Sequence, residues 1–266
     1  MPENRRKEPT ARSPMAGCAI ITAGIVSMLF LVGYVIWVLF KLDEEIAKFT
    51  NDTPRELPVP ELVDNAAALN ALKAKLDTFA LDAEKGEPAS LALTAAEINL
   101  AIAAFPRFED LRGSFHVDRI EAGRLRASVS YRMNGRPLSG EFRYLNGTLV
   151  TLPKLAGGEI ILEIDQILVP GSTVPEGFIG QMSPHRITNR YLEDPVLGPY
   201  MNRLTAAAID DGRFVLTITP GVTPPDAEPE SLRPYAKRTL ILFGLIATIF
   251  VVVLFLARSV ARRKPA

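Results

Sequence analysis

The chain has 266 residues, 48% of them hydrophobic, with 30 basic and 30 acidic side chains that cancel to a net charge of zero. The balance hides a split: residues 1–40 and 239–266 together hold eight Lys/Arg and two Asp/Glu, a net of +6, which leaves −6 on residues 41–238. Uncharged apolar runs at both boundaries exclude a simple soluble domain and a disordered chain, and an acidic middle argues against a nucleic-acid binder, whose folded domain carries basic charge.

Residues 1–15 form a basic tail with Arg5, Arg6, Lys7 and Arg12. Ala16–Phe40 follows without a charge, roughly 37 Å of helix at about 1.5 Å per residue, enough to cross a bilayer core. It is too long for the apolar region of a signal peptide and is followed by Lys41-Leu42-Asp43-Glu44-Glu45 in place of a small-residue cleavage site. Thr239–Ala257 is a second uncharged run of roughly 28 Å, followed by the basic tail 258–266 with Arg258, Arg262, Arg263 and Lys264. Short basic tails stay inside and long loops cross regardless of charge. Both termini are therefore expected in the cytoplasm and residues 41–238 outside. Tyr34, Trp37 and Tyr235 fall where interfacial aromatics belong. Neither span holds an ionisable side chain, which argues against transport by this chain alone. The single cysteine, Cys18, lies in the first span, and a cysteine-free exterior points toward a bacterial envelope.

Prolines 54, 58 and 60 mark a stalk or linker over 41–60, and Pro220, Pro224, Pro225, Pro229 and Pro234 mark a stiffer one over 220–238. The folded unit is expected at 61–219. Leu62, Leu69, Leu72, Leu76 and Phe79 share a helical face. Thr94-Ala95-Ala96-Glu97 reads as a capping box opening a helix that Pro106 ends. The period then changes to two. Segment 114–120 begins a meander, joined through Ala122-Gly123 to a strand with Leu125, Ala127, Val129, Tyr131 and Met133 on one face. Asn134-Gly135 predicts a two-residue hairpin, Leu138, Phe142 and Tyr144 the return strand, and Asn146-Gly147 a further turn. Ile160, Leu162 and Ile164 alternate on the next strand. A short helix starts at Pro175. Leu197, Met201, Leu204 and Ala208 predict a last helix, which Asp211-Gly212 turns into a closing strand with Phe214, Leu216 and Ile218. The fold class is α+β: two transmembrane helices flanking N-terminal helices, an antiparallel meander of about five strands, a helix and a closing strand.

Chemistry is sparse. His116 and His185 are the only histidines, with no metal-ligand spacing, and no Gly-x-Ser-x-Gly elbow occurs. Glu109-Asp110, Glu193-Asp194 and Asp210-Asp211 fall in expected loops, and Gly157-Gly158 precedes a strand without the lysine of a phosphate loop. No cofactor, metal or enzymatic activity is expected. Residues 107–143 hold eight Arg and no Lys. Alternation puts Arg124, Arg126 and Arg132 on one strand face, and Arg143 is expected to join them. Such a face either meets lipid phosphates, which Arg grips through a planar fork, or is solvated and paired with Glu121 and Glu141.

Leu93-Thr94-Ala95-Ala96-Glu97-Ile98-Asn99 ahead of an amphipathic meander, with Val174-Pro175 followed by Phe178 and Ile179, resembles bacterial membrane-anchored envelope proteins of the YpmS-like kind over residues 90–219. The resemblance implies an extracytoplasmic, lipid-associated or accessory role and supplies no catalytic residues. The reading that follows is a non-enzymatic, two-span envelope protein whose outer domain binds lipid or another apolar ligand between helices and curved sheet. The alternative is a scaffold docking another envelope protein through an exposed sheet edge or the helix 197–208.

Overall fold

The computed structural model describes residues 14–135, 140–226 and 243–244. The chain divides into two units, Met1–Leu42 with Leu232–Ala266, and Asp43–Ser231. Helix α1 (Pro14–Ala47), all but its last five residues in the first unit, carries the apolar run, and within Ile21–Ala47 its mean hydropathy reaches 2.4. Among the described residues it is the one helix long and apolar enough to cross a membrane. Ile25, Leu29, Phe30, Ile36 and Phe40 are all exposed, so no polar stripe or packed face marks it as a core helix. The expected second span, 239–257, lies outside the described residues except for Phe243 and Gly244.

The second unit is α+β. Its helices are α2 (Ala66–Lys85), α3 (Ala95–Ala104), α4 (Glu176–Met182) and α5 (Gly198–Met201). Strands β2 (Phe115–Glu121), β3 (Arg124–Asn134), β4 (Phe142–Ala156), β5 (Glu159–Val169) and β6 (Ser172–Thr173) form an antiparallel meander in sequence order. A second, three-stranded sheet runs β1 (Ala89–Leu93), β8 (Arg213–Ile218), β7 (Ala206–Asp210).

Local chemistry explains most of these elements. Thr94 accepts from the Glu97 N–H at 3.2 Å while the Glu97 carboxylate accepts from the Thr94 N–H at 2.8 Å, closing both ends of the capping box. Lys75 of α2 reaches the same carboxylate at 2.5 Å, joining the first two helices of the domain. Ala122-Gly123 turns β2 into β3 with positive φ at both residues, the geometry that matches strand twist. The inner face of the meander presents Leu125, Ala127, Val129, Leu145 and Leu149 to Ile102, Leu111 and Phe214. Phe79 and Ala83 of α2 pack on Leu91, Leu204 and Ile218 in a smaller cluster at the three-stranded sheet.

Three expectations need correction. The helix predicted from Leu197 to Ala208 stops at Met201, and residues 206–210 form a strand paired with β8. Burying Phe214 and Ile218 requires a hairpin partner, and the Asp211-Gly212 turn supplies it, overriding the helical preference of the alanine run. Asn146-Gly147 is not a turn: it lies inside β4, opposite Ser130 and Val129. A Cβ at Gly147 would lie 2.9 Å from the Leu168 carbonyl oxygen, so this glycine serves close backbone approach. Asn134-Gly135 does not close a two-residue hairpin either. Asn134 pairs with Phe142, and the Gly135 N–H donates to the Glu141 carbonyl at 2.9 Å.

Candidate functional site

Residues 48–57 are bound to the domain directly after α1 ends. Phe49 is buried and stacks edge-on against Phe178 with ring centroids 4.8 Å apart. Asn51 exchanges both backbone hydrogen bonds with Tyr144, at 2.9 and 2.7 Å, along the part of β4 that β5 leaves uncovered. The chain then crosses the outer face of the meander. The Arg55 N–H donates to Ser130 Oγ at 3.0 Å and Asn146 Oδ1 at 3.1 Å, and Leu57 is buried.

This crossing decides the fate of the four arginines. Arg124, Arg126 and Arg132 do share the outward face of β3, but Arg132 lies six strand steps beyond Arg126, about 20 Å. Segment 51–57 passes over Ser130 and Asn146 between them. Arg124 pairs with Asp165 at 2.5 Å, and Arg126 lies 3.7 Å from Glu121, which Arg119 also holds at 2.9 Å. These belong to a solvated ionic mosaic. Arg132 is exposed and lies over the Phe142 ring, 3.4 Å from its centroid, a cation–π contact.

Arg143 does not join the others. It stands opposite Met133 in the β3–β4 register, and residues paired across an antiparallel ladder share a face, so it points away from Arg132. Its Nε donates to Thr50 Oγ1 at 2.7 Å, and its terminal nitrogens donate to Asp52 Oδ1 at 2.7 Å, the Thr50 carbonyl at 2.9 Å and the Ala47 carbonyl at 3.4 Å. Ser172 Oγ adds a bond to the Lys48 carbonyl at 2.8 Å. The guanidinium caps the end of α1 and clasps the docked segment.

Both long edges of the meander are partly occupied. On β2, the Asn99 side chain accepts from the Val117 N–H and donates to the Val117 carbonyl, both at 2.8 Å. On β5, Leu162 exchanges backbone bonds with His185, and the Ile160 and Ile164 N–H groups donate to Thr188 and Ser183 hydroxyls. His185 approaches the Tyr131 hydroxyl at 3.3 Å. Burial pushes the His185 imidazole below its ordinary range and the Tyr131 phenol above its own. Asp194 accepts from the Leu197 and Val196 N–H groups and pairs with Arg107; the Leu197 bond foremost, with the other two, holds its carboxyl below the usual range against an opposing desolvation. Glu159, almost fully buried, is held by Arg186 and Asn189.

A shallow notch lined by Pro58, Pro60, Asn99, Arg112 and His116 lies between the docked segment and β2; it has room for about one water molecule. Among the described residues no three of His, Cys, Asp and Glu gather as a metal-ligand set. The Arg143–Thr50 clasp and the Tyr131–His185 contact join residues 93 and 54 positions apart, and no local pattern announces either. Asn99, by contrast, closes the Leu-Thr-x-x-Glu-Ile-Asn segment singled out above. No protein-family model, curated protein or solved structure matches the chain.

Proposed function

We propose that this chain is a membrane-anchored accessory protein whose outer domain works by binding at the bilayer surface and not by catalysis. One observation carries the reading: a helix apolar on every side up to Phe40 continues to Ala47, and the residues that follow are bound to the sheet at once, with Phe49 buried two positions later. A domain joined to its apolar segment by so few residues stays within reach of lipid. In this reading 16–40 and 239–257 are the two spans, 1–15 and 258–266 are cytoplasmic tails, and 41–238 is extracytoplasmic in a bacterial envelope, the plan of the YpmS-like proteins with a second anchor added.

Membrane lipid is the partner this arrangement favours. Ala127, Val129, Leu145 and Leu149 of the inner sheet face are already covered by protein, so the reading places the lipid contact on the domain surface. A second reading, docking of another envelope protein, is favoured by Val63, which is 88% exposed beside the exposed Leu62 and Val59.

Phospholipid retained by the full chain after purification in mild detergent, quantified by mass spectrometry, tests the first reading. Bound phospholipid above that of an unrelated two-span protein is the expected result. A photo-crosslinker at Val63 that captures one dominant protein in intact membranes, with no retained lipid, would replace it with the second.

A further inference from the structure

Arg132 and Phe142 stand together at the end of the β3–β4 pair. Asn134 is the register partner of Phe142, so Arg132 lies on the same face, one step along its strand. Among the described residues Arg132 has no carboxylate partner, whereas Arg124 and Arg126 both do. Phe142 is 41% exposed although it is a large apolar side chain at a strand end. The Arg132 guanidinium carbon sits 3.4 Å from the Phe142 ring centroid, a cation–π contact that uses none of its N–H donors on an acceptor atom and leaves them to an oxyanion. A cation with free donors beside an exposed aromatic ring suits the layer where phosphates meet acyl chains.

The position along the chain selects the occupant. Phe142 is the neighbour of Arg143, which holds Ala47 and Thr50. Ala47 follows Phe40, the last residue of the apolar run, by seven positions. Seven residues span at most about 25 Å whatever their conformation. The pair is thus tied by a short path to the point where the chain leaves hydrocarbon. We propose that Arg132 and Phe142 form an interfacial contact for anionic phospholipid headgroups of the membrane that α1 enters, Arg132 binding the phosphate and Phe142 resting at the top of the acyl region. This deepens the membrane-anchored reading above and depends on it.

The test uses the full chain in nanodiscs of phosphatidylcholine, with or without phosphatidylglycerol. Trp37 is the only tryptophan, so Trp37→Phe combined with Phe142→Trp gives one reporting indole at the exposed ring position. Its quenching by acrylamide, a neutral quencher, is expected to fall in the anionic nanodiscs. Adding Arg132→Gln is expected to weaken that protection about fivefold, the scale of one basic residue at an anionic surface, and Arg124→Gln to leave it unchanged. An indole equally open to acrylamide in both lipid compositions, or protection indifferent to Arg132→Gln, overturns the headgroup contact while the anchoring reading stands. A chain that fails to co-elute with nanodiscs overturns the anchoring and this proposal together. Protein partners are absent from the assay, so protection there has lipid as its source.

Discussion

Arg143 and Thr50, 93 residues apart, are joined twice: Nε donates to the threonine hydroxyl at 2.7 Å and a terminal nitrogen to its carbonyl at 2.9 Å. The planar fork suits this clasp because it satisfies a side chain and two carbonyls at the end of α1 in one rigid group. Arg143→Ala is expected to destabilise the domain by about 2–3 kcal/mol, the scale of charge-assisted hydrogen bonds left unmade around partly buried acceptors. Arg143→Lys recovers less than half, since one ammonium cannot reach all the acceptors. Asp52→Asn changes stability little, because Asp52 is 83% exposed and its ion pair is screened. Thermal unfolding of the full chain in detergent ranks the three variants; an aspartate effect as large as that of Arg143→Ala would contradict the clasp.

Gly147 tests why an Asn-Gly pair sits inside a strand. Its backbone is ordinary extended β4, so alanine meets no conformational penalty, but the added methyl would lie 2.9 Å from the Leu168 carbonyl oxygen and 3.1 Å from Val169 Cγ2. Gly147→Ala is expected to cost about 1–3 kcal/mol through β4–β5 separation. Gly171→Ala, where nothing lies within 4 Å but φ is +72°, bears only the backbone cost of the left-handed region, about 1–2 kcal/mol. Denaturation midpoints of the two variants measure the difference.

The sequence was legible where a local rule determined the outcome. The Thr94–Glu97 box, the Ala122-Gly123 turn and the alternation from Leu125 to Met133 are decided within a few residues, and the structure follows them. It was misleading where two readings shared one composition. Asn-Gly at 146–147 fits a turn until the Leu168 backbone is seen against it, and an alanine-rich run fits a helix until β8 needs a partner. Strand β1 went unread because five residues between two helices carry too little alternation to separate from a loop. The arginine face was half legible. Period two placed Arg124, Arg126 and Arg132 together, but neither the segment crossing at Arg55 nor the register that turns Arg143 to the other face is a local property.

His185 makes stability depend on pH in a fixed direction. Burial lowers its folded-state pKa below the ordinary 6.5, so the folded domain resists protonation more than the unfolded chain does. Where the unfolded state binds more protons, stability rises with pH. The contribution is therefore full above about pH 6.5 and is lost progressively as pH falls from there toward the folded-state pKa. Unfolding midpoints across pH 5–8 are expected to drop on the acidic side, and His185→Gln to flatten that part of the profile. An unchanged slope in the variant would assign the drop to other groups.

Asn99 supplies the last prediction, because its side chain imitates a neighbouring strand. Its amide both accepts from and donates to Val117, at 2.8 Å each way, beside the register shift between Val117 and Arg119. Asn99→Leu fits the buried volume but strands both backbone groups, at a cost of about 2–4 kcal/mol. Asn99→Asp keeps the acceptor for the Val117 N–H and loses the donor for its carbonyl, so at neutral pH it sets a carboxylate against a carbonyl oxygen. Hydrogen exchange at the Val117 amide separates the cases: protection is expected to survive Asn99→Asp and to fall sharply in Asn99→Leu. If both variants exchange like the unaltered chain, water or another group has taken over the β2 edge, and the asparagine is there for packing alone.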